Sequence, residues 1–273
     1  MTQTSRTEEI LGDWQRLLSN LIELRPTPSN PEGLRKARGM VRSRLEAIGF
    51  SVTEHGTGSA PPVMVAVRDG QGEPLGLAGH YDVEEADEGW DVPPFALTEK
   101  EGRLYGRGTA DNLGPLALRL ATLAARTTPT PPLVWVLQGE EETGSALAHA
   151  LYPELDIPPV ALWVEETGYF EADGSQRLLQ VALDERSAPL VDAVVATAER
   201  DGRAVQRHDR HLNKAFGQDR CPFLTHLAVG TPYLAIGPND PDSSIHAPNE
   251  SLPLSTLAIS VEQFETLLTE AAR

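Results

Sequence analysis

The sequence predicts an α/β fold, a three-layer sandwich with a mostly parallel central sheet in a single domain. Two observations predict it. Five short apolar runs, PVMVAV (62–67), PLGLAG (74–79), LVWVLQ (133–138), ALWVE (161–165) and PYLAIG (232–237), have the continuous apolar character of strands buried on both faces. Helical patterns separate most of them, and strands alternating with helices build a sheet covered on both sides. The 273 residues, 40% of them apolar, suffice for one large buried core.

The first 50 residues read as two helices. Ile10, Leu11, Trp14, Leu17, Leu18, Leu21 and Ile22 form a stripe at helical spacing over Glu8 to Leu24. RPTPSNP ends it. Pro31 then suits a first helical turn after Ser29 or Asn30 as cap, and Gly49 is the expected stop. Further helices are expected over about 114–125, 143–151, 189–200, 221–228 and 254–271, and one more strand over RLLQVAL (177–183). TTPTPP (127–132) and GPNDPDSS (237–244) read as turns within a domain.

Charge narrows the function. Lys and Arg total 23 against 40 Asp and Glu, a net charge of −17, which argues against nucleic-acid and anionic-membrane binding, because both need a basic face. The single cysteine, Cys221, excludes an intramolecular disulfide and a cysteine-rich zinc knuckle, and it reads as a buried small hydrophobe. No apolar stretch is long enough to span a membrane and the N-terminus has no apolar signal region, so a cytoplasmic location is the expectation.

Five polar segments follow or end the apolar runs: Gly79-His80-Tyr81-Asp82, Gly106-Arg107-Gly108-Thr109-Ala110-Asp111-Asn112, Glu140-Glu141-Glu142-Thr143-Gly144-Ser145, Glu165-Glu166 and His246-Ala247-Pro248-Asn249-Glu250. Each alone has a bland reading as a turn, a solvated acidic loop or a satisfied histidine. In an open α/β sheet, however, the crevice lies beyond the carboxyl ends of the strands, so most of these segments would reach one rim. Imidazoles and carboxylates converging there suit a divalent ion such as zinc.

In this order the five segments resemble the M20 metallopeptidases, which include acetylornithine deacetylases, succinyl-diaminopimelate desuccinylases and carboxypeptidase G2-like enzymes. HYDV followed by GW and PPF, and EGRLYGRG, agree with it. The resemblance covers roughly residues 10–180 and 215–270. It implies a zinc-peptidase-like (phosphorylase/hydrolase-like) sandwich and two Zn2+ ions, with Co2+ or Mn2+ as alternatives. By the resemblance, His80 and Glu165 hold one ion, Glu142 and His246 the other, and Asp111 bridges them. Glu166 stays open as an alternative to Glu165. Glu141 is the implied general base, and Asp82 the implied group that orients His80. A cis peptide bond between Asp111 and Asn112 is also implied. The implied activity is hydrolysis of an amide bond in a small peptide or an N-acyl amino acid.

The chain departs from the family in one respect. M20 enzymes carry a lid and dimerisation domain between the fourth and fifth segments, whereas only 80 residues lie between Glu165 and His246 here. Those residues are accounted for by elements of the catalytic domain, so residues 1–273 are expected to form one catalytic domain without the inserted lid. A neighbouring copy in a homo-oligomer is one candidate cover. Candidates for holding substrate are Arg107, His208, His211, Arg220 and Asn249. The stretch RHDRH (207–211) also reads as a solvated loop. Two other readings stay open: an M20-like protein that binds metal without catalysis, and a single-domain aminopeptidase of the M28 kind.

Overall fold

A computed structural model describes residues 3–56, 58, 60–165, 168–209, 226–227 and 230–273. The chain begins with two helices, α1 (Gln3–Glu23) and α2 (Pro31–Ala47), followed by β1 (Ser51–His55), β2 (Val63–Arg68), β3 (Leu75–His80), β4 (Thr98–Lys100) and β5 (Arg103–Tyr105). Then come α3 (Leu113–Ala125), β6 (Leu133–Gln138), a short 3-10 turn at Glu141–Thr143, α4 (Ala146–Leu151), β7 (Leu162–Glu165), β8 (Tyr169–Phe170) and β9 (Gln176–Val181). The described chain closes with α5 (Ala188–Arg200), β10 (Val205–Asp209), β11 (Tyr233–Ala235), β12 (Ser251–Pro253) and α6 (Leu257–Ala271).

Nine strands form the main sheet in the order β1-β2-β6-β3-β7-β11-β9-β10, with β8 on β9. The four central strands β6, β3, β7 and β11 run parallel. β1, β2 and β6 pair antiparallel at one flank. At the other flank β9 runs against β11 and β10 runs parallel to β9. β12, β5 and β4 make a separate small antiparallel sheet. Between Glu165 and His246 the described strands β8 to β11 all join the main sheet.

Every residue of β3 and β6 is buried, as a strand covered on both faces requires. Alternate residues of one strand feed opposite layers. Met64 and Ala66 pack with α1, α2, α3, α5 and α6, whereas Val63 and Val65 pack with Ala148, Tyr152 and Trp163 on the other face. Gly76 on β3 faces Trp163 on β7, and a Cβ there would stand 2.4 Å from the indole ring.

Local signals act as their chemistry requires. Asn30 Oδ1 accepts from Gly33 N at 3.1 Å, which caps α2, and Pro31 occupies the first turn. Gly49 follows α2 with φ of 92°, a conformation that costs glycine little. The differences from the sequence reading lie at the edges. β1, β4, β5, β8 and β12 are short strands without a long apolar run, and pairing with neighbours creates them. Arg207, His208 and Asp209 of the stretch 207–211, which reads as a solvated loop, lie in strand β10, at the edge of the sheet among the described residues, where they stay exposed to water; residues 210–211 lie outside the described residues. The helix expected over about 221–228, with Cys221, falls almost wholly outside the described residues.

Asn30 also donates to the carbonyls of Leu24 and Arg25 at 3.1 and 2.9 Å, so one side chain joins α1 to α2. Asn30→Ala should therefore destabilise the protein by about 1–2 kcal/mol in chemical denaturation, the range for losing a helix cap.

Candidate metal centre

His80 ends β3, Glu165 ends β7, and the loop after β6 carries Glu140, Glu141 and Glu142. The carboxyl ends of parallel strands thus bring three of the polar segments to one rim. The other two arrive by loops. Asp111 precedes α3, and the Asp111–Asn112 peptide bond is cis. His246 lies in the turn before β12, with φ of 60°.

Donor atoms of His80, Asp111 and Glu142 all lie within 4.8 Å of one another. Asp111 turns one oxygen to each imidazole: Oδ1 is 3.0 Å from His80 Nε2, and Oδ2 is 3.4 Å from His246 Nε2. His246 Nε2 is also 2.9 Å from Glu142 Oε2. The four side chains form a continuous chain of contacts from His80 through Asp111 and His246 to Glu142.

Asp82 stands behind this group. His80 Nδ1 donates to the Asp82 carbonyl at 3.1 Å and lies 3.3 Å from its Oδ1, which leaves Nε2 facing Asp111. Asp82 Oδ2 accepts from Glu142 N at 3.1 Å, so one carboxylate ties the end of β3 to the glutamate loop. The three glutamates have three different environments. Glu140 Oε1 accepts from the amides of Leu147 and Ala148 and so caps the first turn of α4. Glu142 faces His246. The Glu141 carboxyl makes no hydrogen bond among the described residues, and burial pushes it up to about 7, with His80 opposing the rise and Asp111, Glu142 and Asp82 adding to it.

The charges fit a cation. Asp82 Oδ1 and Glu142 Oε1 are buried without a hydrogen-bond partner among the described residues, a costly state for a carboxylate oxygen. Burial disfavours charge on His80, yet Asp111 and Asp82 hold its imidazole well above the ordinary histidine value. Hydrogen bonds to Asp111 and Glu142 push His246 up to about 10. Burial would raise Asp111, but hydrogen bonds from His246 and His80 outweigh it and hold the carboxyl far below the usual carboxylate range. The carboxylates draw positive charge onto the imidazole nitrogens, which is the role a divalent ion fills in an imidazole–carboxylate donor set.

Glu165 is 8% exposed and lies outside the three-residue group. Its Oε2 accepts from the Tyr233 hydroxyl at 2.5 Å, and its carbonyl accepts from Arg119 Nη2 at 2.9 Å. Glu166 falls outside the described residues.

The family model for peptidase family M20/M25/M40 matches residues 76–270. The chain belongs to the M20/M25/M40 peptidase family. A mouse beta-Ala-His dipeptidase is 30% identical over 167 residues, which cover 54% of this chain and 34% of that protein. A succinyl-diaminopimelate desuccinylase of Acidiphilium cryptum is 33% identical over 132 residues, 48% of this chain and 34% of that enzyme. The chain thus spans about a third of the length of these curated relatives. The crystal structure of human carnosine dipeptidase 1 superposes with a TM-score of 0.71 at 14% identity, covering 99% of this chain and 100% of that one, and so shares its fold.

Within this M20-family chain, the substrate-binding candidates are scattered. Arg107 is 1% exposed and buried against Glu250 at 2.8 Å, with the Trp90 ring 5.3 Å from its guanidinium carbon. Its Nη1 donates to Glu250 and its Nη2 to the Glu85 carbonyl at 3.1 Å, both inside the protein. Asn249 exchanges hydrogen bonds with Asp91, accepting from its amide at 2.8 Å and donating to its carboxylate at 3.1 Å. His208 is exposed on β10, four strand spacings or roughly 19 Å from β3 across the sheet. His211 and Arg220 lie outside the described residues.

Three further residues support the site without any role legible in the sequence. Glu250 closes the fifth segment, where only its place in the motif marks it. Tyr233 reads as one more apolar strand position. Arg119 did leave a signal, a lone charge within the apolar helix LGPLALRLATLAA. It donates to the carbonyls of Glu165 and Ile236, at the ends of β7 and β11.

Because only Glu140 among the three glutamates bonds to α4, Glu140→Ala should cost about 1 kcal/mol of stability while leaving metal uptake unchanged. Thermal melts beside metal analysis of the purified variant check this.

Proposed function

We propose that this chain is a metal-dependent hydrolase of amide bonds that acts on small peptides or N-acyl amino acids. The observation that carries the reading is Asp111 with one oxygen toward each imidazole and the unbonded Glu141 carboxyl beside it. Membership of the M20/M25/M40 family supports the same chemistry.

Two divalent ions, zinc with cobalt or manganese as substitutes, are assigned to this rim. His80, Glu165 and Asp111 would hold one, and Asp111, Glu142 and His246 the other. When bound, the ions supply Lewis acidity to the substrate carbonyl and to a water. Glu141 takes the proton of the attacking water as its oxygen adds to the carbonyl carbon, and returns that proton to the amine as the C–N bond breaks. Burial raises this carboxyl's hold on a proton in the metal-free site, and with no hydrogen bond of its own it is free to exchange one. Asp82 keeps the His80 ring in one tautomer and orientation.

No inserted lid is assigned to this chain, because among the described residues between Glu165 and His246 the strands β8 to β11 all belong to the main sheet. The site is then an open cleft on one rim, which suits small substrates. Cover by a second copy would make the active form a homo-oligomer. The curated relatives include a dipeptidase and a desuccinylase, so dipeptides and N-acyl amino acids are the substrates to compare first.

The test separates chemistry from metal binding. Glu141→Gln should lower turnover on a dipeptide and N-acyl amino acid panel by about 10²–10⁴-fold with metal content unchanged. Glu142→Gln should lose metal. Turnover by zinc-loaded Glu141→Gln equal to that of the parent would overturn the assignment of the base. The parent itself should take up two ions per chain at saturation, and one or none would overturn the two-ion reading.

A further inference from the structure

We infer that Glu250 is a positioning residue for the ion assigned to Asp111, Glu142 and His246. The inference rests on the two-ion reading above.

Glu250 is 0% exposed, and its two carboxylate oxygens accept four hydrogen bonds. Oε2 accepts from Arg107 Nη1 at 2.8 Å and from Gly108 N at 3.0 Å. Oε1 accepts from Ala110 N at 2.8 Å and from Asp111 N at 3.0 Å. Every one of these donors lies in the loop that ends at Asp111. The Glu250 carbonyl also accepts from Gly106 N at 3.0 Å, so the contact spans that loop from 106 to 111. Gly108 has φ of 85°, and this left-handed turn aims its amide at the carboxylate.

The same residue is four positions after His246. His246 has no strand to hold it. It lies in a turn with positive φ, as do Ser244 and Asn249. The chain becomes regular only in β12, where three residues pair with β5. Glu250 is the residue at which that turn is fastened to the Asp111 loop. This buried carboxylate, beside the bond from Asn239 Nδ2 to the Ala110 carbonyl at 3.2 Å, therefore helps to set the spacing between two donors that lie 135 positions apart in the sequence.

His80 is placed differently. It ends a strand paired on both sides, with β6 and β7, and Asp82 fixes its ring. Glu165 ends β7, braced by Arg119 and Tyr233. Of the first ion's donors only the shared Asp111 touches Glu250, and His80 and Glu165 are held without it, whereas the second ion's site depends on Glu250 through both Asp111 and the turn that carries His246. Disturbing Glu250 should weaken the two ions unequally.

Glu250→Gln keeps the shape of the side chain but turns a donor toward Gly108 N and Arg107, and leaves the Arg107 charge buried and unpaired. It should lower the melting temperature. The double variant Arg107→Met, Glu250→Gln removes both charges, and neutralising both partners of a buried ion pair commonly returns stability. Metal-free parent and both variants are titrated with Co2+ by calorimetry and visible absorption, which read ion number, affinity and ligand geometry without activity. The parent should bind two ions. Both variants should keep the first within about threefold and lose about 10–100-fold in affinity for the second, the range for outer-shell ligand support, with an altered cobalt band for it. The double variant should recover melting temperature without recovering the second ion. If the double variant recovers both together, Glu250 is merely structural and the inference is overturned. Equal loss of both ions, or parent-like binding of both in the variants, overturns it as well. A parent that binds fewer than two ions overturns the two-ion reading and this inference with it, and that failure is visible in the parent alone.

Discussion

The Glu250 carboxylate is where the site's two loop-borne segments meet. Burying a carboxylate and a guanidinium removes both from water, and each loses several kcal/mol of hydration unless its donors and acceptors are matched. Here four donors meet the two oxygens, and Arg107 gives a further bond to the Glu85 carbonyl at 3.1 Å. Three of the four are backbone amides, so moving the 106–111 loop would leave a buried charge without its donors. Trp90 over Arg107 and Asn249 on Asp91 extend the same locking to the loop after β3.

The placement of charge explains why such rigidity matters. His80, Asp82, Asp111, Glu141, Glu142 and His246 crowd one rim of an acidic protein. Two carboxylate oxygens there are buried and unpartnered, and both imidazoles are held toward their charged forms. Like charges at this density would spread apart if the backbone allowed it. The ends of central strands, the cap that Glu140 gives to α4 and the carboxylate of Glu250 prevent that, so the site stays assembled and poised for a cation.

How much of this was legible depended on the kind of interaction. The α/β class, the central strands and a cap at Ser29 or Asn30 follow from apolar periodicity and from contacts within a few residues, both visible along the chain, and the structure places that cap at Asn30. The motif order marked His80, Asp111, Glu142 and His246, and these four do touch. The short strands β1, β8, β10 and β12 carry weak local signals, because pairing with a neighbour makes them strands. The polar stretch at 207–211 reads as a loop for the same reason. Arg107 reads as a candidate for holding substrate, since nothing nearby in sequence announces a partner 143 positions away.

The amino-acid sequence by itself determined the fold class, the family and the residue types at the rim, because those depend on pattern and on the order of short segments. Only the tertiary structure decided what each polar side chain is for. Three adjacent glutamates with the same chemistry became a helix cap, an unbonded carboxyl and a partner of His246 through their neighbours in space. Arg107 became a buried structural cation, and Tyr233 and Arg119 became braces for Glu165. The physical reason is that a polar group's role is set by burial and by its hydrogen-bond partners, and in this fold those partners come from distant parts of the chain.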